Sequence, residues 1–134
     1  MKNIEAGPSI EKRRSKRVAA PKEATAIFKN DLGGLDRIKI RDLSLDGLLI
    51  CDNSKIKRHS IDSLINNLYL NIYVGDLNTG SKFFIFIDKG RIVRSFVDEA
   101  SQSRCYGVEF SYSGSYTKDQ LENLISQLPP DSYH

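Results

Sequence analysis

The chain has 134 residues, a length that favours one domain, and its 40% hydrophobic and 28% charged residues are ordinary for a globular protein rather than a disordered or fibrous one. No stretch approaches the roughly 18 consecutive apolar residues of a membrane helix. Residues 1–10 also lack the apolar region of a signal peptide, so we expect a cytoplasmic protein without membrane insertion. Cys51 and Cys105 lie 54 positions apart without clustered histidines. This spacing indicates neither a zinc site nor a disulfide framework and predicts two reduced thiols.

The positive charge is concentrated in the N-terminal third of the chain. Residues 1–41 hold 11 Lys and Arg against 5 Asp and Glu, whereas the rest of the chain holds 9 against 12. We predict a flexible N-terminus over residues 1–10 and an exposed basic arm over residues 11–22, because Pro21 disfavours helix at Ala20. Composition alone favours a solvated tail. A nucleic-acid or anionic-membrane patch and a phosphate clamp beside a pocket stay open as alternatives.

Residues 23–112 are predicted to form an all-β body, a barrel or a sandwich. Short runs rich in Ile, Val, Phe and Tyr are separated by Gly, Asp, Asn and Ser, which is typical of strands joined by turns. The predicted strands are residues 24–29, 36–42, 47–51, 69–74, 82–87, 90–96 and 106–111, with hairpin connections at 31–34 and 88–91. Residues 60–68 fit either a helical face or a turn that leads into the next strand.

A change of period predicts a C-terminal helix over residues 117–128, followed by a tail over residues 129–134. The apolar residues at helical spacing are Leu121, Leu124, Ile125 and Leu128. Thr117 and Gln120 fit a capping box at its start. We expect the apolar stripe to cover an open mouth of the β body, with a partner-binding helix as the alternative.

The segment between Asp42 and Gly47 interrupts the alternation of a regular strand. Apolar residues before Asp42 fall at even positions and those after it at odd positions, which predicts a bulge or a turn. With Leu43 and Leu45 directed inward, Asp42 and Ser44 would be presented outward side by side. The alternative is that both residues cap their own turn by local hydrogen bonds.

Taken together, three short motifs resemble the PilZ domain family, whose receptors bind cyclic di-GMP (c-di-GMP). They are an RxxxR arm (Arg13, Arg17), a DxSxxG strand (Asp42, Ser44, Gly47) and a late strand that contains Gly107, Val108 and Phe110. The resemblance spans residues 11–128 and implies one all-β domain: a six-stranded antiparallel barrel with an N-terminal basic arm and a C-terminal helix.

The resemblance also implies the ligand-binding residues. Arg13 and Arg17 would bind phosphate and the guanine edge or stack on a base, Asp42 would accept from guanine, and Ser44 would bond the ligand or orient the arginines. Gly47 would permit a turn that lets the ligand approach closely. Arg14 would add a further cation.

Two positions leave the ligand arrangement open. Lys12 stands directly before the RxxxR motif, where a further cation can accompany a stacked pair of ligand molecules in the family. Lysine neutralises phosphate but neither stacks nor reads guanine bidentately, so one or two ligand molecules are possible and we favour two. Asp46 departs from the family, which often has glycine there. It either weakens binding by its charge or points to solvent.

The resemblance thus implies a bacterial second-messenger receptor that binds c-di-GMP. We expect it to be a stand-alone protein that relays binding through ordering of its arm to an unidentified protein. No cofactor, metal site or enzymatic activity is expected, because His59 and His134 are the only histidines and belong to no catalytic constellation. The alternative is a nucleotide-independent PilZ-like interaction module. We expect no DNA or RNA binding, because base stacking needs exposed aromatic rings and Phe83, Phe84 and Phe86 are predicted to be core residues.

Overall fold

The computed structural model describes residues 16–29, 33–53, 60–75, 80–112 and 114–128, which form seven strands and one helix. The elements in chain order are β1 (Val18–Ala19), β2 (Thr25–Lys29), β3 (Leu35–Leu43), β4 (Gly47–Asp52), β5 (Leu64–Val74), β6 (Ser81–Asp98), β7 (Ser103–Ser111) and α1 (Ser115–Ser126). None of the helices within these ranges has the length and apolar character that crossing a membrane requires.

Six of the strands close into an antiparallel barrel, as the resemblance to PilZ domains implied. The sheet order is β1-β3-β2-β5-β6-β7-β4, and a further pairing of β4 with β3 closes the ring. The two-residue β1 adds to β3 outside this ring and is antiparallel to it. Strands 24–29, 36–42 and 47–51 were predicted within one or two residues of the observed β2, β3 and β4.

The barrel interior is an aliphatic core that the helix completes. The fully buried large side chains are Tyr106, Phe28, Ile40, Leu43, Leu48, Ile50, Leu68, Leu70, Ile72, Ile85, Ile87 and Ile92. Leu121, Leu124 and Leu128 of the C-terminal segment join them, so the predicted packing of the helix onto the β body is confirmed. The predicted capping box is wrong, since α1 begins after Gly114 and the Thr117 hydroxyl donates to the Phe86 carbonyl at 3.2 Å.

The predicted hairpin at residues 88–91 is wrong, because β6 runs without interruption from Ser81 to Asp98. Its first part pairs with β5 and its second part with β7. A Cβ at Gly90 would lie 2.7 Å from Cγ1 of Val108, so this glycine makes room for a core valine rather than a turn.

Neither alternative for residues 60–68 describes the whole segment, because β5 already begins at Leu64. Asn67 has a φ of 58°, in the left-handed region, and this interrupts the regular alternation of the strand. Ile65 and Leu68 therefore both reach the core, although they are three residues apart, while Leu64 is 63% exposed. Their helix-like spacing is produced by an irregular strand.

Two of the three phenylalanines predicted to be core residues lie on the outside of the barrel. Ile85 and Ile87 occupy the interior, so strand alternation directs Phe84 and Phe86 outward, where they are 57% and 37% exposed. Phe83 is partly buried and packs against the core, as predicted. Nucleic-acid binding was not expected because these rings were predicted to be buried. That argument does not hold for Phe84 and Phe86, which are exposed.

The expectation of reduced thiols is also wrong, because Cys51 and Cys105 form a disulfide. The two residues are direct partners in the pairing of β4 with β7. Antiparallel register brings opposite side chains within bonding distance on one face of a sheet, irrespective of their separation in sequence. The disulfide thus joins β4 directly to β7.

Candidate ligand-binding site

The end of the basic segment is attached to the barrel rather than exposed as a free arm. Val18 is fully buried in the core and pairs with Leu43, and Ala19 pairs with Asp42. This corrects the prediction of an exposed arm over residues 11–22 for the part that forms β1. Because β1 lies beside the end of β3, it places Arg17 next to Asp42.

Arg17 and Asp42 form an ion pair with two hydrogen bonds. The Arg17 Nε donates to Asp42 Oδ1 at 3.0 Å, and Nη2 donates to the same oxygen. The side chain of Asp42 is only 9% exposed, whereas that of Arg17 is 24% exposed. The carboxylate therefore anchors a guanidinium group that carries further N–H donors and is itself partly exposed.

The DxSxxG motif forms the tight β3–β4 connection. The Ser44 hydroxyl accepts from the backbone N–H groups of Asp46 and Gly47, both at 3.2 Å, and donates to the Gly47 carbonyl at 3.3 Å. The Ser44 N–H donates to that same carbonyl at 2.8 Å. Ser44 is 2% exposed, so its predicted outward presentation beside Asp42 is wrong and the local capping alternative describes it.

Two hydrogen bonds from the end of β7 and the residues just after it also hold the turn. The Phe110 N–H donates to the Asp46 carbonyl at 2.8 Å, and the Tyr112 hydroxyl donates to the Leu45 carbonyl. Burial, followed by the charges of Asp46 and Glu122, raises the pKa of Tyr112 above its ordinary value, so this hydroxyl stays a donor at neutral pH.

Gly47 serves close packing of β4 on β7. A Cβ at this position would lie 2.1 Å from the carbonyl oxygen of Val108 and 3.3 Å from Cα of Glu109. Both obstacles are backbone atoms, which do not move aside as a flexible side chain does. The glycine is therefore required by the barrel itself, before any ligand is considered.

A surface depression of about 380 Å³ lies over β4, β6 and β7 beside this turn. Its lining residues are Arg17, Asp46, Gly47, Leu48, Val93, Arg94, Gly107, Val108 and Glu109. The motifs at Arg17 and at Gly47, which are distant in sequence, thus border one depression.

Arg94 is a second cation in this depression that the sequence did not single out. A Cβ at Gly107 would meet Arg94 Cγ at 2.8 Å and Nε at 3.0 Å, so the arginine lies flat over this bare stretch of β7. Its guanidinium carbon is 5.4 Å from the centre of the Phe96 ring, within cation–π range. This orientation follows from a register shift of β6 on β7 between Ile92 and Arg94. The residues around Arg94 in the sequence do not indicate such a shift, so the sequence analysis could not identify Arg94.

The acidic groups at the rim limit the positive charge of the depression. Glu109 accepts from Arg91 Nη2 at 3.0 Å, and this hydrogen bond is the main reason why the pKa of Arg91 is raised. Asp46 is exposed and is also among the residues that line the depression, so its effect on binding stays a prediction. The arrangement offers two arginine forks, Arg17 and Arg94, of the kind that donates bidentately to phosphate or to guanine O6 and N7.

Four of the sequence-predicted site residues come together around the turn: Arg17, Asp42, Ser44 and Gly47. Lys12, Arg13 and Arg14 lie outside the described residues. Within the described ranges, no group of three or more His, Cys, Asp or Glu side chains is arranged to hold a metal ion.

No protein-family model and no curated protein matches the chain, but solved structures share its fold. YcgR from Escherichia coli, solved in complex with c-di-GMP, superposes with a TM-score of 0.67 at 17% identity over 85% of this chain and 44% of YcgR. The PilZ domain of YcgR with c-di-GMP gives 0.65 at 17% identity over 87% of this chain and 90% of the domain. The K. pneumonia MrkH–c-di-GMP complex gives 0.68 at 18% identity over 85% of this chain and 51% of MrkH. The chain thus spans about half the length of YcgR and MrkH, and nearly the whole of the PilZ domain.

Proposed function

We propose that this chain, which has the fold of a PilZ domain, is a c-di-GMP receptor whose site is the depression between Arg17 and Arg94. The observation that carries the proposal is the ion pair of Arg17 with Asp42 at the edge of that depression. Two motifs that the sequence separates by 25 positions meet there. The presence of c-di-GMP in the YcgR and MrkH complexes of the same fold supports the choice of ligand.

The described residues suit the chemistry of a cyclic dinucleotide. Two phosphodiesters require donors, and arginine guanidinium groups supply them in pairs while also stacking on purine rings. Asp42 orients Arg17 and would accept from guanine N1 and N2. Ser44 acts through the turn that it closes, and Gly47 keeps that turn close to β7.

We further propose that the segment before β1 closes over the ligand and that this closure is the signal. Arg13, Arg14 and, for a second ligand molecule, Lys12 would bind the phosphates. Because β1 is fixed to β3, a ligand held by Arg17 would lie directly beside the end of that segment. The closed segment would form part of a surface read by a protein partner.

Calorimetric titration of c-di-GMP into the wild-type chain, with GTP as a decoy, tests the proposal. We expect saturable binding of c-di-GMP alone, with a stoichiometry of one or two ligands per chain that decides the role of Lys12. Arg17→Ala and Asp42→Ala should each abolish measurable binding. Arg94→Gln should weaken it, because one charge-assisted contact is worth roughly 1.5–3 kcal/mol, or about 10- to 150-fold in affinity.

Arg37→Gln is the matched control for Arg94→Gln. Arg37 lies on β3, is exposed, and does not line the depression. Equal losses in both variants would show that overall charge rather than the site governs binding. Absence of heat and of thermal shift with c-di-GMP would reject the receptor function in favour of a nucleotide-independent interaction module.

Limited proteolysis tests the closing segment separately. Trypsin cleavage at residues 12–16 should slow at saturating c-di-GMP in the wild-type chain and remain unchanged in Asp42→Ala. Unchanged cleavage in the wild-type chain at saturation would refute the closure while leaving ligand binding intact.

A further inference from the structure

The outer face of β3, β2, β5 and β6 carries an exposed aromatic cluster that the proposed receptor function does not use. Tyr69 stacks on Phe84 with ring centres 5.3 Å apart and an interplanar angle of 18°. Its ring centre is also 5.1 Å from that of Phe86. Phe84 and Phe86 are 57% and 37% exposed, which is unusual for large aromatic side chains without a binding role.

Strand register organises this face into two parallel rows. The first row crosses four strands through the pairs Arg37–Ile27, Ile27–Tyr69 and Tyr69–Phe86. It begins with an exposed cation on β3 and ends with an exposed ring on β6.

The second row repeats this order two residues along the strands. It passes through the pairs Lys39–Thr25, Thr25–Asn71 and Asn71–Phe84. None of the eight described positions in the two rows is acidic. The first row therefore carries the rings of Tyr69 and Phe86, and the second row carries that of Phe84. In each row one positive charge on β3 lies three strand spacings, or roughly 14 Å, from the ring on β6.

A cationic depression of about 360 Å³ borders the second row. Lys22, Lys39 and Arg41 are among its lining residues. Arg41 donates to Asp98 at 2.6 Å, so that carboxylate already neutralises it and the two exposed lysines supply the remaining charge. The positive side of the face therefore extends from Lys39 on β3 to Lys22.

We propose that this face binds single-stranded nucleic acid. Phe84, Phe86 and Tyr69 would stack on bases, while Arg37, Lys39 and Lys22 would bind the phosphates. Aromatic rings beside a cationic track are the features by which β-sheets hold single strands without sequence preference, because every base has a π face and every nucleotide a phosphate. The face shares no residue with the depression at Arg17 and Arg94.

Fluorescence anisotropy with labelled 12-nucleotide oligo(dT) and oligo(U), and with a 12-base-pair duplex, tests the proposal. We expect both single strands to bind the full chain at low salt and the duplex to bind much more weakly. Phe84→Leu should weaken binding about 5- to 150-fold, whereas Phe84→Tyr, which keeps a ring, should retain it. Phe84 is exposed, so both variants should keep the wild-type melting temperature.

The cations are tested by salt dependence. The slope of log K against log salt should decrease in magnitude by about 0.7 for each of Arg37→Gln and Lys39→Gln. Lys118→Gln, an exposed lysine on α1, is the charge-matched control and should leave the slope unchanged.

Several results would overturn the proposal. No anisotropy change at low salt would leave the aromatic face as a surface for a protein partner. Equal binding by Phe84→Leu and wild type would reduce the interaction to charge attraction. Displacement of the oligonucleotide by c-di-GMP would place it at the other site, and equal affinity for the duplex would exclude base stacking.

Discussion

Replacing Gly47 by alanine tests whether this residue serves the barrel or the ligand. The resemblance to PilZ domains suggested that the glycine lets a ligand approach closely. In the structure, the space for a Cβ is instead occupied by backbone of β7, with the Val108 carbonyl oxygen 2.1 Å away. Gly47→Ala should therefore destabilise the protein in the absence of any ligand.

The expected loss follows from the displacement that the methyl group imposes. Ordinary contact is roughly 3.5 Å, so β4 and β7 must separate by about 1 Å or more at this point. Two backbone hydrogen bonds of 2.8 Å flank the site, one from Phe110 to Asp46 and one from Ser44 to Gly47. Losing both at about 1 kcal/mol each, with a similar amount for disturbed core packing, lowers the free energy of unfolding by about 3 kcal/mol.

Urea unfolding of the ligand-free chain measures this loss, with a second glycine variant as the control. A Cβ at Gly114 meets no atom within 4 Å. Gly114→Ala should therefore stay within about 1 kcal/mol of wild type. A Gly47→Ala variant with wild-type stability and impaired c-di-GMP binding would refute the packing argument.

Three further predictions concern the contacts around the site. A double-mutant cycle on Arg17→Ala and Asp42→Ala should give a coupling free energy of about 1–2 kcal/mol in unfolding experiments, and additive effects would contradict the ion pair. Denatured but unreduced protein should show no free thiols, and reduction of the Cys51–Cys105 disulfide, with its separation of 54 residues, should lower the free energy of unfolding by about 4 kcal/mol. The pKa of Tyr112 is higher in the folded than in the unfolded state. The Tyr112 hydroxyl therefore stabilises the fold fully below the ordinary pKa of 10.0, and this stabilisation is lost as the pH rises above 10.0 toward the raised pKa. Tyr112→Phe should cost about 1 kcal/mol at neutral pH and show a smaller decline in alkaline unfolding curves than wild type, and identical curves would contradict the assignment.

Predictions from local pattern succeeded where the pattern had one physical cause. Alternation in β3 and helical spacing at Leu121 and Leu124 reflect burial of one face, and both elements form as predicted. They failed where the same residue type serves two purposes. Gly90 was predicted to lie in a turn, but it makes space for Val108 inside a strand. The positive φ of Asn67 interrupts β5, so buried residues on either side of it are spaced as they would be in a helix.

Pairing over long sequence distances decided the rest. Phe84 and Ile85 are both apolar, so alternation alone could not show which faces outward, and the register with β5 and the filled core settle this. The disulfide likewise depends on the pairing of β4 with β7. Arg94 reaches the candidate site only because β6 shifts register beside Gly107.

The sequence by itself determined the strand-rich body, the closing helix and the motif residues around Asp42, because these depend on side-chain periodicity and turn chemistry among near neighbours. Only the tertiary structure decided that Arg17 meets Asp42, that Arg94 joins them, and that an aromatic face is left exposed. The physical reason is that closing a barrel fixes register between strands that are far apart in the chain. Register then determines which side chains become neighbours.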